Sequence, residues 1–268
     1  MMIVFYYDKT FEGLLCAVFD IFKLKKMPEC LLLEGDVAPL LASETHVVEF
    51  RNSKYERVQL ALEKKISKIA LNQLLYVWLS ELPESDLIIL RYICKVFQST
   101  HSIETDFGDP DVLTVHDIAK KVSREKHHLV QFVRFNAINN PISASENSLS
   151  EKIYFAVIAP IYNALPLVLN FFQDRYADQK WAIYDEKRQY GYFYNLEKIE
   201  RISLANHEDI VVNSMINQDY MTKDEQLFQT MWLRYCNALT IKERVNPKLQ
   251  RQQMPKRFWQ YLPEMKGK

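Results

Sequence analysis

Trp181-Ala-Ile-Tyr-Asp-Glu-Lys-Arg-Gln-Tyr-Gly-Tyr-Phe-Tyr194 decides the fold class. Trp181–Asp185 and Gln189–Tyr194 are rich in aromatic residues, and the polar Asp185-Glu-Lys-Arg188 between them reads as the turn of a hairpin. Tyr190, Tyr192 and Tyr194 recur at period two and so share one face of the second strand. Exposed, that row is a platform for stacking bases. Buried against a helix it is core, the reading preferred here because cross-strand aromatic pairs stabilise sheets. Upstream, Lys152–Ile158 is a third strand candidate, and a helix is expected near Pro166–Tyr176.

Working toward the N-terminus, Ile3–Tyr7 is a strand that feeds a helix carrying Phe11, Leu14, Leu15, Val18 and Phe22, with Asp8 and Thr10 available as N-caps. Cys30–Leu33 and His46–Phe50 are short strands around a loop with Gly35 and Pro39. Ser53–Ser80 has helical spacing, Pro83 breaks it, and Asp86–Gln98 resumes it, giving a helical hairpin. Thr100–Asp111 is an acidic loop, and Ile118, Val122, Leu129 and Phe132 mark the next helix. Residues 139–148 form a polar connector, and Lys223–Leu239 is a late helix with Leu227, Met231 and Tyr235 on one side. The class is therefore α+β: an antiparallel sheet packed with helices, including a helical hairpin and an α-rich C-terminal tail. Residues 1–205 are expected to form the α+β core, as one compact domain or two lobes joined near 139–150. Residues 206–268 form a helical extension.

The composition excludes several classes. The chain has 268 residues, with 34 Lys and Arg against 34 Asp and Glu, so a nucleic-acid contact has to come from local charge. Five glycines argue against a Gly-rich phosphate cradle and a turn-dense sandwich. Cys16, Cys30, Cys94 and Cys236 are far apart, with no metal or cluster spacing among them, and are expected as reduced thiols. No basic, apolar leader and no run of about 18 apolar residues is present, so a cytoplasmic protein without membrane contact is expected. No cofactor and no metal is expected. There is no GxSxG elbow and no catalytic Cys–His signature. A faint helix-turn-helix flavour at Thr114–Val122 is discounted for want of a turn glycine and a recognition helix.

Chemistry is concentrated in three places. In Val122-Ser-Arg-Glu-Lys-His-His-Leu-Val-Gln-Phe-Val-Arg-Phe135, Glu125 falls inside the apolar stripe of Leu129 and Phe132, with His128 at its edge. A carboxylate there has to be paired, protonated or hydrated. Glu125 and His128 are catalytic candidates as a proton-transfer pair. The alternative is a structural ion pair between Glu125 and an arginine of another element. The second place is a structural or phosphate-binding network of Asp174, Arg175, Asp178 and Arg188, because the like charges of Asp174 and Asp178 need a cation between them. The third is the C-terminal stretch from Lys242, with eight Lys and Arg against Glu243 and Glu264 and with Phe258, Trp259 and Tyr261 interleaved. Arg244, Lys248, Arg251, Lys256, Arg257 and Trp259 suit a phosphate backbone with stacked bases. The same pattern also fits a tail stapled to the core by its aromatics.

Several ordered segments resemble a bacterial family of DNA metabolism and repair proteins. They are Tyr7-Asp-Lys-Thr-Phe-Glu-Gly13, Glu125-Lys-His-His128 with Phe132–Phe135, Ala159-Pro160 through Leu165-Pro166, Phe171–Arg175 with Trp181, and Met254–Trp259 with Leu262-Pro263. Members of that family accompany a radical S-adenosylmethionine protein similar to spore photoproduct lyase. The resemblance implies DNA and the radical enzyme as partners. The three-cysteine cluster motif is missing from this chain, so the radical chemistry belongs to the partner. The expected function is an accessory protein in DNA repair or modification that binds nucleic acid through its tail. Two alternatives stand beside it. One is an enzyme acting on damaged DNA, with Glu125 as acid/base, His128 assisting, and Arg175 holding a phosphate or the Glu125 charge. The other is a protein-only scaffold that uses the acidic Glu104–Asp111 loop and the basic tail.

Overall fold

The computed structural model describes residues 2–139, 152–204, 207–212 and 215–265; most of the 139–148 connector, together with Lys266 and Lys268 of the basic stretch, lies outside them. The chain divides into two compact units, Met1–Arg124 and Glu125–Lys268. The α+β class holds.

In the first unit, β1 (Met2–Tyr7) is the middle strand of a parallel sheet, flanked by β2 (Cys30–Leu33) and β3 (Ala42–Val47). Parallel pairing of β1 and β2 follows from the helix between them, α1 (Phe11–Leu24), since parallel neighbours need a crossover. Thr10 caps that helix, its hydroxyl accepting the Gly13 N–H at 2.9 Å. The sequence spacing places the third strand later, at 46–50. The long helix expected over Ser53–Ser80 is two helices, α2 (Asn52–Lys65) and α3 (Lys68–Leu79). Ile66 is extended, and the Ser67 hydroxyl caps the second helix by accepting the Ala70 N–H. Glu104 fixes that cap by accepting from both the Ser67 N–H and its hydroxyl, at 2.8 and 2.6 Å. α3 and α4 (Ser85–Gln98) form the expected helical hairpin. Asp109 and Asp111 accept Lys95 and Arg91 of α4. The acidic loop is thus largely spent on its own unit. α5 (Pro110–Phe132) runs unbroken through Thr114–Val122, leaving no helix-turn-helix there.

The second unit begins at Glu125 of α5 and is built on a five-stranded sheet: β4 (Asn136–Asn139), β5 (Lys152–Ile158), β6 (Trp181–Asp185), β7 (Tyr190–Tyr194) and β8 (Ile199–Ile202), in that order. Three pairings are antiparallel, while β5 and β6 are parallel, with Tyr154 opposite Trp181 and Ile158 opposite Asp185. The crossover between them holds a 3₁₀ turn (Leu165–Val168) and α6 (Leu169–Arg175). Side chains alternate between two buried faces. Ala156, Ile158, Trp181 and Ile183 face Leu129, Phe172, Phe258 and Leu262. Phe155, Val157, Ala182 and Tyr184 face Ile210, Val211 and Ile216 from α7 (His207–Ile210), β9 (Val211–Val212) and β10 (Met215–Ile216). Tyr190 and Tyr194 are buried and Tyr192 packs beside them, so the tyrosine row is core. Gly191 between them is required: a Cβ there would sit 2.4 Å from the Ile183 carbonyl oxygen.

The rest of the unit is α8 (Lys223–Leu239), α9 (Pro247–Gln253) and the 3₁₀ turns Lys256–Tyr261 and Pro263–Met265. No helix among the described residues is long and apolar enough to cross a membrane. Among those residues no group of three or more His, Cys, Asp and Glu could hold a metal ion. Cys16, Cys30, Cys94 and Cys236 are free thiols.

Candidate functional site

In the second unit, the loop that follows β5, Ala159–Asn163, is gripped from two sides. From α5, Glu125 is 2% exposed, and its Oε1 accepts the Ile161 N–H at 2.9 Å. From the β6–β7 turn, Arg188 donates to the Pro160 carbonyl at 3.1 Å and the Ile161 carbonyl at 3.2 Å, and Lys187 also reaches Ile161. The Tyr190 hydroxyl donates to Asn163 Oδ1. The side chains come from α5, the β6–β7 turn and β7, and the short loop that leaves β5 is what they share.

Arg188 itself is held by Asp185, the last residue of β6, whose Oδ2 accepts from its Nη1 at 2.9 Å. The other oxygen of Asp185 accepts the N–H groups of Lys187 and Arg188, an Asx-type closure of the turn. Asp185 is fully buried. Burial pushes its carboxyl above the ordinary aspartate range, while Arg188 pulls it back.

The second oxygen of Glu125 accepts Arg257 of the Lys256–Tyr261 turn. Glu125 therefore sits in an ion pair with an arginine of another element, and that arginine is Arg257, not Arg175. The cause is plain in the fold: the partner lies 132 residues further on, beyond any local spacing argument. A usable signal does exist. Phe258, Leu262 and Met265 recur at i, i+4 and i+7 and are buried in the core, which sets Arg257 at the edge of an inward stripe.

His128 completes the cluster, with its Nδ1 3.3 Å from Arg257 Nη2 and 3.8 Å from Glu125 Oε2. A guanidinium nitrogen can only donate, so Nδ1 is the acceptor and the ring is neutral. Burial, then the charge of Arg257, lowers the His128 imidazole below its ordinary 6.5, against the pull of Glu125. The linkage sign follows. The unfolded chain takes up the proton first as pH falls through 6.5, so the contribution of His128 to stability is full above 6.5 and lost below it. Urea denaturation of wild type and His128→Gln between pH 7.5 and 5.5 is expected to show the steeper loss in wild type. Parallel profiles would remove His128 from the account.

Both oxygens of Glu125 thus already accept a hydrogen bond, and a reacting group has to displace Arg257 to reach them. Asp174, Arg175 and Asp178 are exposed at the end of α6, and no salt bridge joins them among the described residues. The ion-pair network expected among Asp174, Arg175, Asp178 and Arg188 is not formed among the described residues. Both carboxylates are exposed to solvent, and Arg188 serves Asp185 instead.

The basic stretch divides in two. Its last part, Met254–Met265, is stapled to the core: Phe258, Leu262 and Met265 are buried, and the Trp259 indole donates to the Met254 carbonyl at 2.9 Å while Lys256 lies over its ring. Arg257 is taken by Glu125. Lys242, Arg244, Lys248, Arg251 and Lys256 are exposed, and among the described residues none has a salt-bridge partner. α8 adds exposed aromatics that sequence spacing does not mark as surface: Phe228, Trp232 and Tyr235, the last two stacked at 5.6 Å.

An α+β protein with a clamped loop beside a mixed sheet, and with a helical, basic C-terminal region, is the class these features define. The chain belongs to the family of the domain of unknown function DUF4130, which it matches over residues 83–264. No curated protein and no solved structure matches it.

Proposed function

We propose that the protein is an accessory factor in DNA repair or modification, binding nucleic acid through the exposed cations of its 206–268 extension. A radical S-adenosylmethionine enzyme, implied by the family resemblance, supplies the chemistry. The observation that carries the reading is the set of five exposed, unbridged cations, Lys242, Arg244, Lys248, Arg251 and Lys256, in a chain whose total charge is zero. Cations left without carboxylates raise the local potential and release counterions when they meet phosphates. The Leu227 and Met231 stripe of α8, also exposed, offers an apolar face for a protein contact.

The test is fluorescence anisotropy with labelled single- and double-stranded oligonucleotides at two salt concentrations. Wild type is compared with a variant carrying Arg244, Lys248, Arg251 and Lys256 as Ser. Arg257 is left in place, since removing it breaks the Glu125 pair. Binding is expected to weaken with salt, and the slope of log affinity against log salt to fall by about 3 in the variant on a single strand. A folded wild type that binds neither oligonucleotide at low salt would refute direct recognition by this chain.

A second reading, an enzyme using Glu125 as acid/base, is favoured only by the juxtaposition of Glu125 with a neutral His128. Glu125→Gln separates it from a structural role, as argued below.

A further inference from the structure

Between α8, the Arg134–Asn136 segment and Pro263 lies a cavity of about 280 Å³. Its walls include three aromatic rings, Phe135, Phe228 and Trp232, and its polar groups include two carboxamides, Asn136 and Gln229, and one guanidinium, Arg134. The volume is at or just below the ~300 Å³ lower end for drug-sized ligands, so the cavity takes one small planar group.

The walls are held in place by hydrogen bonds. The N–H of Thr222 donates to the Ala137 carbonyl at 3.0 Å, and Glu225 accepts the Ala137 N–H at 3.0 Å, pinning the start of α8 to β4. Glu264 accepts the Trp232 indole N–H at 3.0 Å and lies 3.6 Å from Arg134. Gln229 Nε2 donates to Asn136 Oδ1 at 2.7 Å and faces Glu225 Oε1 at 3.4 Å. A carboxylate only accepts, so this contact fixes which end of the Gln229 amide is nitrogen. Gln229 Oε1 and Asn136 Nδ2 are then left without a protein partner among the described residues: one acceptor and one donor, on two amides that already hydrogen-bond to each other.

Aromatic walls, a free amide donor and a free amide acceptor on neighbouring side chains, and a guanidinium in the lining are the groups that recognise an unstacked nucleobase, whose pairing edge carries a donor beside an acceptor. We infer that this cavity binds a single extruded or unpaired nucleobase, stacked against Phe228 and Trp232 and read by Asn136 and Gln229. As a base within a strand, this rests on the nucleic-acid reading above. α9, which carries Lys248 and Arg251, touches Met265 through Gln250, and α8 touches Glu264 through Trp232, so both helices flank the Pro263–Met265 turn.

The experiment measures anisotropy with two labelled single strands of equal length, one carrying bases and one built of abasic tetrahydrofuran residues. Both have the same phosphates. The strand with bases is expected to bind at least about tenfold tighter, and Trp232→Ala to erase that difference while leaving the abasic strand's affinity unchanged. Trp232 is 43% exposed and Phe228 61% exposed, so Phe228→Ala is the second variant, and thermal melting confirms that both remain folded. Equal binding of the two strands would overturn the inference and leave the nucleic-acid reading standing. If neither strand binds, the nucleic-acid reading falls, and deoxyadenosine monophosphate decides. Saturable quenching of tryptophan fluorescence, lost in Trp232→Phe, would support a base pocket fed by free nucleotides, and no quenching would overturn it.

Discussion

Arg188→Met is expected to lower the stability of the second unit by about 3–5 kcal/mol at neutral pH, the cost of leaving a buried charge without its partner. Asp185 is fully buried and its Oδ2 faces the Arg188 guanidinium, which also supplies donors to the carbonyls of Pro160 and Ile161. Methionine keeps an unbranched apolar stem and removes every one of these bonds. The loss has a sign in pH. Burial already pushes the Asp185 carboxyl above the 3.8 of a free aspartate, and Arg188 is the first of the groups that oppose it. Without Arg188 the folded carboxyl rises further above its unfolded value, so stability is retained below about pH 4 and lost as pH climbs through the folded value. Urea denaturation at pH 4 and pH 7.5 checks this: the gap between variant and wild type should widen with pH. Adding Asp185→Asn, which still accepts the turn N–H groups through its own oxygen, should recover most of the neutral-pH loss. No recovery would mean that the two loop carbonyls, not the carboxylate, carry the cost.

How far the chain could be read without coordinates depends on how local each feature is. The hairpin at Trp181–Tyr194, the first strand and helix, and α4 are set by residues a few positions apart, and spacing alone gives them. β4 and β8 are four residues each, too short for period-two alternation to stand out. The break between α2 and α3 falls at Ser67, which caps α3 and is also held by Glu104, 37 residues away. Parallel pairing of β5 with β6 is a property of the crossover and is not written in either strand. The site shows the same division. That Glu125 has to be paired follows from its place in the apolar stripe of its own helix. Which arginine pairs it does not follow, because Arg175 and Arg257 are equivalent as charges. The choice is made by Phe258, Leu262 and Met265, whose burial delivers Arg257 to that point. Exposure of α8 is hidden for the opposite reason: its apolar residues look like a core face, yet among the described residues no element buries them.

Arg257→Met is expected to cost about 2–3 kcal/mol, less than the loss at Arg188 because the Arg257 side chain is 35% exposed and its charge is partly screened by water. What remains is Glu125, 3% exposed at its side chain, with one oxygen on the Ile161 N–H and the other bare. Glu125→Gln keeps the volume and the bond to Ile161 and removes the charge. Combining the two should therefore restore much of what Arg257→Met loses, with a coupling of about 1–2 kcal/mol in a double-mutant cycle of urea midpoints. The same Gln variant addresses catalysis. If Glu125→Gln folds at wild-type stability yet abolishes turnover of a damaged oligonucleotide, the carboxylate is chemical and the enzyme reading displaces the accessory one. If it melts early while any turnover follows the folded fraction, Glu125 is the buried half of the strap that ties the C-terminal segment to α5. The geometry favours the second outcome. Both carboxylate oxygens are occupied, and the cation on one of them is itself anchored by a neighbouring phenylalanine deep in the core.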